Sequence, residues 1–340
     1  MFTPLPLAEF LAAPGPILDV RSPGEFEQAH IPGAISFPLF SNEERAVVGT
    51  CYKRQGREQA IELGLEIVGP KLAGFAKRAK KLAVTRHVRV HCWRGGMRSG
   101  SMAWLLQTAG LEVSVLAGGY KAFRCWCLQQ LDLPRKVVLL GGMTGSGKTY
   151  ILQELADRGE QAIDLEGLAN HRGSSYGSLG LPDQPTTEQF ENKLALEWQQ
   201  LDPDRRVWLE AESRNVGCCR IPAGVFTQME VSPVFRVQRS RQERIENIAE
   251  MYGEEDLDGL MAATQRLKKR LGSQRTQQAI AHLENGEIVE AIELILPYYD
   301  KTYTYDLERR DSASVEVDIM GMTPANSAAA LVEQANTLLR

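Results

Sequence analysis

Two glycine-bearing loops in this chain carry side chains with specific chemistry. The first is His91-Cys92-Trp93-Arg94-Gly95-Gly96-Met97-Arg98-Ser99. It lies between a short apolar run and a segment with helical spacing. A loop wound from a strand end into a helix N-terminus turns several backbone N–H groups towards one point, and the helix dipole adds positive potential there. Gly95 and Gly96 allow the backbone angles such a cradle needs, and Arg94 and Arg98 add charge. Cys92 at its centre is therefore expected to be a thiolate nucleophile. The residues from Trp93 to Arg98, including Met97, form the expected cradle for an oxyanion.

The second loop, Gly142-Met143-Thr144-Gly145-Ser146-Gly147-Lys148-Thr149, fits the spacing G-x-x-x-x-G-K-T. It follows the apolar run Val137–Leu140 and precedes a helical pattern, the context in which this motif holds phosphate. Backbone amides around Gly142, Gly145, Ser146 and Gly147 would wrap a diphosphate. Lys148 would neutralise its oxygens, and Thr149 could ligate Mg²⁺. Trp208-Leu209-Glu210 ends an apolar strand with an acid, where a metal-linked carboxylate would sit, and Glu212 shares its face in an extended strand. Asp164 also ends a strand. It leads into a Gly/Ser/Tyr-rich stretch containing Arg172, from Asn170 to Gly180, which reads as a mobile substrate loop. Arg236, Arg239, Arg241 and Arg244 form one basic group, and Arg266, Lys268, Lys269, Arg270 and Arg275 a second. Both are candidates for a phosphate path. Tyr298, Tyr299, Tyr303 and Tyr305 could stack on bases.

The elements that must hold these loops alternate between strand and helix. Ile17–Val20, Val88–His91 and Val113–Leu116 read as strands, Arg98–Ala109 as a helix, and Gly118-Gly119 as the start of another. A second alternation follows, with strands Val137–Leu140, Ala162–Leu165 and Val207–Leu209 and helices Gly147–Arg158 and Thr187–Leu201. From Ser240 to Leu296 the pattern is helical and charged. Val315–Ile319 reads as a last strand and Pro324–Leu339 as a closing helix. Such alternation implies α/β architecture with parallel sheets covered on both faces. Pro134 and its basic neighbours mark a linker over Leu131–Lys136, which divides the chain into residues 1–132 and 133–340.

The net charge of −4 conceals an asymmetry. Residues 1–134 hold 16 Lys+Arg against 11 Asp+Glu, and residues 67–111 hold nine basic residues and no acid. A local excess of this kind favours an anionic partner. The six cysteines form no C-x-x-C pair, which argues against a zinc site, and a disulfide framework is implausible in 340 residues. No run approaches the ~20 apolar residues of a membrane span. The N-terminus lacks a basic, then apolar leader pattern. A reducing cytoplasm is the expected location.

The cysteine loop, with Asp19-Val20-Arg21, Glu25-Phe26, His30-Ile31-Pro32-Gly33-Ala34 and Leu116-Ala117-Gly118-Gly119-Tyr120, resembles the rhodanese superfamily over about residues 1–130. Its H-C-x5-R-S spacing also matches cysteine phosphatases, some of which share that fold. Many sulfur-carrying rhodaneses have a loop one residue shorter. A rhodanese-like domain followed by a P-loop NTPase-like parallel-sheet domain with a helical C-terminal part is a narrow combination. Together with Asp164-Leu165-Glu166-Gly167-Leu168-Ala169-Asn170-His171-Arg172-Gly173-Ser174, it resembles tRNA 2-selenouridine synthases.

That resemblance implies a transferase that replaces the sulfur of a wobble 2-thiouridine with selenium from selenophosphate. The route runs through an S-geranyl intermediate made from geranyl diphosphate. Cys92 would carry selenium as a selenopersulfide, with Arg94, Arg98 and the loop amides holding phosphate. The glycine-lysine loop would hold the diphosphate, with no need for ATP hydrolysis. The basic segment 71–98 would guide the anticodon region of tRNA, and a selenophosphate-supplying enzyme is an expected partner. The competing readings are a rhodanese-fold cysteine phosphatase, a P-loop kinase or nucleotide switch, and an RNA-binding module without catalysis.

Overall fold

The structure is a computed structural model that describes residues 4–253, 255–308 and 312–338, without the side chains of 305–308. The chain divides into two compact units, Met1–Gln130 and Leu131–Arg340. The last helix of the first unit, Gly119–Leu131, still includes Leu131, and the next strand begins at Lys136. The connection is therefore shorter than the expected Leu131–Lys136 linker.

The first unit is built on strands β1 (Ile17–Asp19), β2 (Ala34–Ser36), β3 (His87–His91) and β4 (Glu112–Val115). They form a parallel sheet in the order β2-β1-β3-β4. Leu18, Val20, Val88 and Val90 are buried together with Met102 and Leu106 of the helix Met97–Thr108. Short β-rich apolar runs of this kind suit a sheet covered on both faces. Because β3 is central and ends at His91, Cys92 emerges at the carboxyl edge of the sheet, where an open α/β sheet binds its ligands.

The second unit has strands β5 (Lys136–Gly142), β6 (Gln161–Ile163), β7 (Arg206–Glu210), β10 (Val234–Gln238) and β11 (Ser314–Asp318), with a small hairpin of β8 (Asn215–Val216) and β9 (Cys219–Arg220). The five-stranded parallel sheet runs β11-β10-β5-β7-β6. From Val137 to Gly142 every residue of β5 is buried, as a central parallel strand requires. The helices Lys148–Asp157 and Pro324–Leu338 cover it, with Ile151, Leu155 and Leu331 meeting Leu140, Trp208 and Phe235. Strand order changes direction at β5, whose neighbours β7 and β10 come from opposite sides of the fold. The glycine-lysine loop thus lies at a topological switch point, the position at which doubly wound sheets open a crevice.

A helical part follows β10: Arg241–Tyr252, Leu257–Arg266, Ser273–Glu284 and Ile288–Glu308, with a short helix at Lys268–Leu271. It has its own core, where Ile245, Leu260, Leu283 and Ile292 are buried together.

Candidate functional site

The cysteine loop rests on a buried ionic frame. Arg21 donates twice from Nε to the carboxylate of Asp19, at 3.0 Å each, and from Nη2 to the carbonyl of Ala29 at 2.7 Å. Its guanidinium lies 3.9 Å from the centre of the Tyr120 ring. His91, fully buried and 3.7 Å from Asp19, has its pKa lowered to about 4, chiefly because burial disfavours the cation. Asp19, Arg21, His91 and Tyr120 therefore hold the sheet edge beneath the loop.

The segment Leu116–Tyr120 closes against the loop from the other side. The amides of Tyr120 and Lys121 donate to the carbonyls of Cys92 and Trp93, at 2.8 and 2.9 Å. A side chain at Gly119 would meet the Cys92 carbonyl at 2.4 Å, which only glycine avoids. Cys92 is 3% exposed, with Sγ 3.2 Å from Ser99 Oγ, so the sulfur lies on the floor of the loop. Trp93, Arg94, Gly96 and Met97 are exposed at its mouth.

Arg98 departs from its expected role. It is bonded to Glu25, 2.7 Å from Nη1 to Oε2. Burial is the largest influence and opposes its charge, but the Glu25 hydrogen bond together with the negative charges of Glu25, Cys92 and Asp19 outweighs it, and the arginine pKa is raised. Glu25 is itself held below the usual carboxylate range. Burial, the largest influence, raises it, and the Arg98 hydrogen bond and charge, the Ser22 amide and Arg45 together reverse that. Arg98 is thus a loop anchor with a carboxylate partner, and Arg94 is the exposed cation.

The basic segment is likewise divided. Arg89 turns inward to the carbonyls of Phe10, Leu11 and Gly15, and Lys71 pairs with Glu44 at 2.5 Å. Arg78 donates to the Ser36 carbonyl at 2.7 Å. Lys77, Lys80, Lys81, Arg86 and Arg94 remain exposed, so the run 71–98 does not present one continuous cationic face.

In the second unit, Gly145 and Gly147 take φ values of +82° and +81°. A side chain at Gly145 would also strike the Arg244 carbonyl at 2.5 Å. Arg244 Nε donates to the carbonyl of Thr144 at 2.9 Å, and Asn247 Nδ2 to that of Gly145 at 2.8 Å. Both come from the helix Arg241–Tyr252, and Arg244 is held in turn by Asp300. Lys148 Nζ donates to the Gly142 carbonyl at 3.0 Å, and Ser146 is buried. Gly142, Gly145, Ser146, Gly147, Lys148 and Thr149 line one cavity of about 1600 Å³.

Asp164, Glu166, Arg172 and Glu212 line the same cavity. Glu166 was not expected in the site. It lies two residues past Asp164, and that i, i+2 pair of acids just after an apolar run is the available signal. Burial and then the neighbouring carboxylate of Glu212 push Glu166 up to about 8. Asp164 does not end a strand. It caps the short helix Leu165–Leu168, accepting from the Gly167 amide at 2.6 Å. Glu210, unlike Asp164, does not line the cavity. It is completely buried, and its Oε2 accepts from the Leu165 amide at 2.8 Å. Burial, then Asp164, Glu166 and Glu212, raise its pKa well above the ordinary value.

The stretch 170–180, expected as a mobile loop, is pinned. Tyr176 is buried with its hydroxyl 2.7 Å from Thr264 Oγ1, the Ser175 amide donates to Tyr299, and Arg172 donates to the Leu179 carbonyl. Gly173 sits against the carboxylates of Glu166 and Glu212, at positive φ and with no space for a side chain. The first arginine group is mostly structural, because Arg236 pairs with Glu316 and Arg239 with Glu243. From the second group Arg266, Lys269 and Arg270 line the cavity, beside Tyr298, Tyr299 and Tyr303. The side chain of Tyr305 lies outside the described residues.

Fold and site together define a two-unit protein, with a rhodanese-like cysteine loop in one unit and a phosphate loop in the other. Residues 3–124 match the rhodanese-like domain, and residues 135–320 match the family described as tRNA 2-selenouridine synthase AAA domain. The chain belongs to the tRNA 2-selenouridine synthase family, a family of tRNA-modifying enzymes. A solved N-terminal domain of an ATP/GTP binding protein assignment from Clostridium difficile 630 is 42% identical over 36% of this chain and 98% of its own, with a TM-score of 0.35. No helix among the described residues is long and apolar enough to cross a membrane.

Proposed function

We propose that this chain converts 2-thiouridine of tRNA into 2-selenouridine in two steps. In the first, the sulfur takes the geranyl carbon of geranyl diphosphate. Diphosphate leaves with the bonding electrons, and the N3 proton departs. Gly145, Gly147, Lys148 and Thr149 hold the diphosphate and stabilise its departure. The observation that carries this reading is the junction of that loop with Glu166, Arg172, Glu212 and the cationic rim of Arg266, Lys269 and Arg270 in one large cavity. Such a space has room for a nucleotide of the anticodon as well as the diphosphate ester. Thr149, Glu166 and Glu212 line that cavity together and are the residues that would hold a Mg²⁺, which would supply charge neutralisation for the leaving diphosphate.

In the second step selenium from selenophosphate attacks C2, and geranyl thiol leaves. Electron count constrains Cys92. Selenium stands at the same oxidation level in selenophosphate and in 2-selenouridine, so a selenopersulfide would need an oxidant to form and a reductant to discharge. Transfer of the phosphoryl group from selenium to the Cys92 thiolate, followed by hydrolysis, balances without either. Cys92 is then the phosphoryl acceptor, and Arg94 with the loop amides holds the phosphate oxygens. The exposed Lys77, Lys80, Lys81 and Arg86 contact the tRNA backbone. A selenophosphate-supplying enzyme is the expected protein partner, and the tRNA substrate assigns the chain to the cytoplasm.

The test is incubation of the protein with thiolated tRNA, geranyl diphosphate and selenophosphate, followed by mass spectrometry of the nucleosides. S-geranyl-2-thiouridine is expected with geranyl diphosphate alone, and 2-selenouridine once selenophosphate is added. Unchanged 2-thiouridine in both mixtures refutes the reading.

A further inference from the structure

Beside the phosphate loop lies a second, smaller cavity of about 50 Å³, inside the helical part of the second unit. Its walls are hydrocarbon, from Ile248, Leu260, Leu283, Ala291, Ile292 and Ile295 among others. The polar groups at its edge are already engaged. The Tyr176 hydroxyl is bonded to Thr264, and the Tyr299 hydroxyl accepts from the Ser175 amide at 3.1 Å. Thr144, Ser174, Ile248, Tyr252 and Tyr299 line both this cavity and the large one. The two therefore adjoin at Thr144, the third residue of the glycine-lysine motif.

Space of this size exceeds the roughly 15 Å³ that one water needs, yet offers water almost no hydrogen-bond partner. Apolar cavities of that kind stay dry and accept apolar guests. A nucleotide base placed there would leave its donors and acceptors unpaired. A phosphate cradle that opens onto a dry hydrocarbon pocket suits an amphiphile with a diphosphate head and an alkyl tail.

We propose that this cavity seats the hydrocarbon end of an alkyl diphosphate whose phosphates lie in the glycine-lysine loop. The proposal rests on the reading of that loop as a diphosphate site. The cavity receives the terminal branched unit of the chain, and the carbons nearer the oxygen lie along the shared wall at Thr144 and Ile248. Ala291 is the smallest of the wall residues named above, and its size then sets how much of the chain enters.

Calorimetric titration of the full chain with inorganic diphosphate, geranyl diphosphate and farnesyl diphosphate tests this. Each buried methylene is worth about fourfold in affinity, so geranyl diphosphate is expected to bind at least about tenfold more tightly than inorganic diphosphate. Ala291→Leu, which fills the cavity, is expected to abolish that difference and leave inorganic diphosphate binding unchanged. Ile295→Ala, which enlarges it, is expected to shift preference towards farnesyl diphosphate. Equal affinity for inorganic and geranyl diphosphate in the unmodified protein overturns the proposal and leaves the loop reading intact. Absence of binding by all three overturns both. Should Ala291→Leu lose every ligand through misfolding, Ile295→Ala decides, and an unchanged chain-length preference overturns the proposal.

Discussion

The ammonium of Lys148 donates to the carbonyl oxygen of Gly142 across 3.0 Å, so the lysine is folded back over the loop that it serves. A diphosphate must exchange that neutral acceptor for a charged one, and charge-assisted bonds are the stronger. Lys148→Ala is therefore expected to weaken diphosphate binding by about tenfold to a hundredfold, the range for a hydrogen bond to a charged group. Geranylation is expected to fall with it. Calorimetry with inorganic diphosphate checks the first and nucleoside analysis the second. Undiminished values in both would remove the loop from the mechanism.

Cys92 lies at the floor of its own loop and in the other unit, so its loss should separate the two half-reactions. Cys92→Ser is expected to form S-geranyl-2-thiouridine at the normal rate, with 2-selenouridine formation reduced about a hundredfold or more, as for removal of an activated nucleophile. A time course on thiolated tRNA, read by mass spectrometry, distinguishes the products. Normal selenouridine formation by the serine variant would eliminate the thiolate.

Glu166 has a folded pKa of about 8 against an ordinary 4.5. The folded protein thus binds more protons than the unfolded chain between those values. Stability from this group is complete below pH 4.5 and declines as pH rises towards 8. Glu166→Gln cannot ionise and should flatten that decline. Thermal unfolding of the second unit at pH 5, 7 and 9 is expected to show the variant gaining on the parent at the alkaline end. Parallel curves would show that the carboxylate is not crowded.

His91 works in the opposite direction. Its pKa is about 4 when folded and 6.5 otherwise, so the unfolded state gains protons first as pH falls. The first unit should lose about 2 kcal/mol from this group between pH 7 and pH 5. Urea titrations at those two pH values measure it, and His91→Gln should remove most of the difference.

Much of the architecture could be read from the chain because the signals are local. The strands His87–His91 and Lys136–Gly142 and the helix Met97–Thr108 fall within about two residues of their apolar periodicity, and the glycine-lysine spacing places its own loop. Partners distant in sequence were not legible. Arg98 reads as an anion ligand until Glu25, 73 residues earlier, is seen to hold it. Arg89 reads as surface charge until the carbonyls of the Phe10–Gly15 region take it. Glu166 and Glu210 differ for the same reason. One faces the cavity and the other supports the Leu165 amide from below, which no periodicity could separate. Asn247 carries no motif and is identified only by its bond to Gly145.

The carbonyls of Thr144 and Gly145 end in side chains from a helix about one hundred residues downstream. A peptide unit that shows an anion its N–H must settle its oxygen elsewhere, and here the receiving groups are made late in translation. A nascent product that stops at Val237 would contain the whole glycine-lysine motif and most of its sheet, yet the ring of amides would be unsupported. Anion capture is therefore a property that the growing polypeptide acquires only after the residues beyond 240 have left the ribosome and docked.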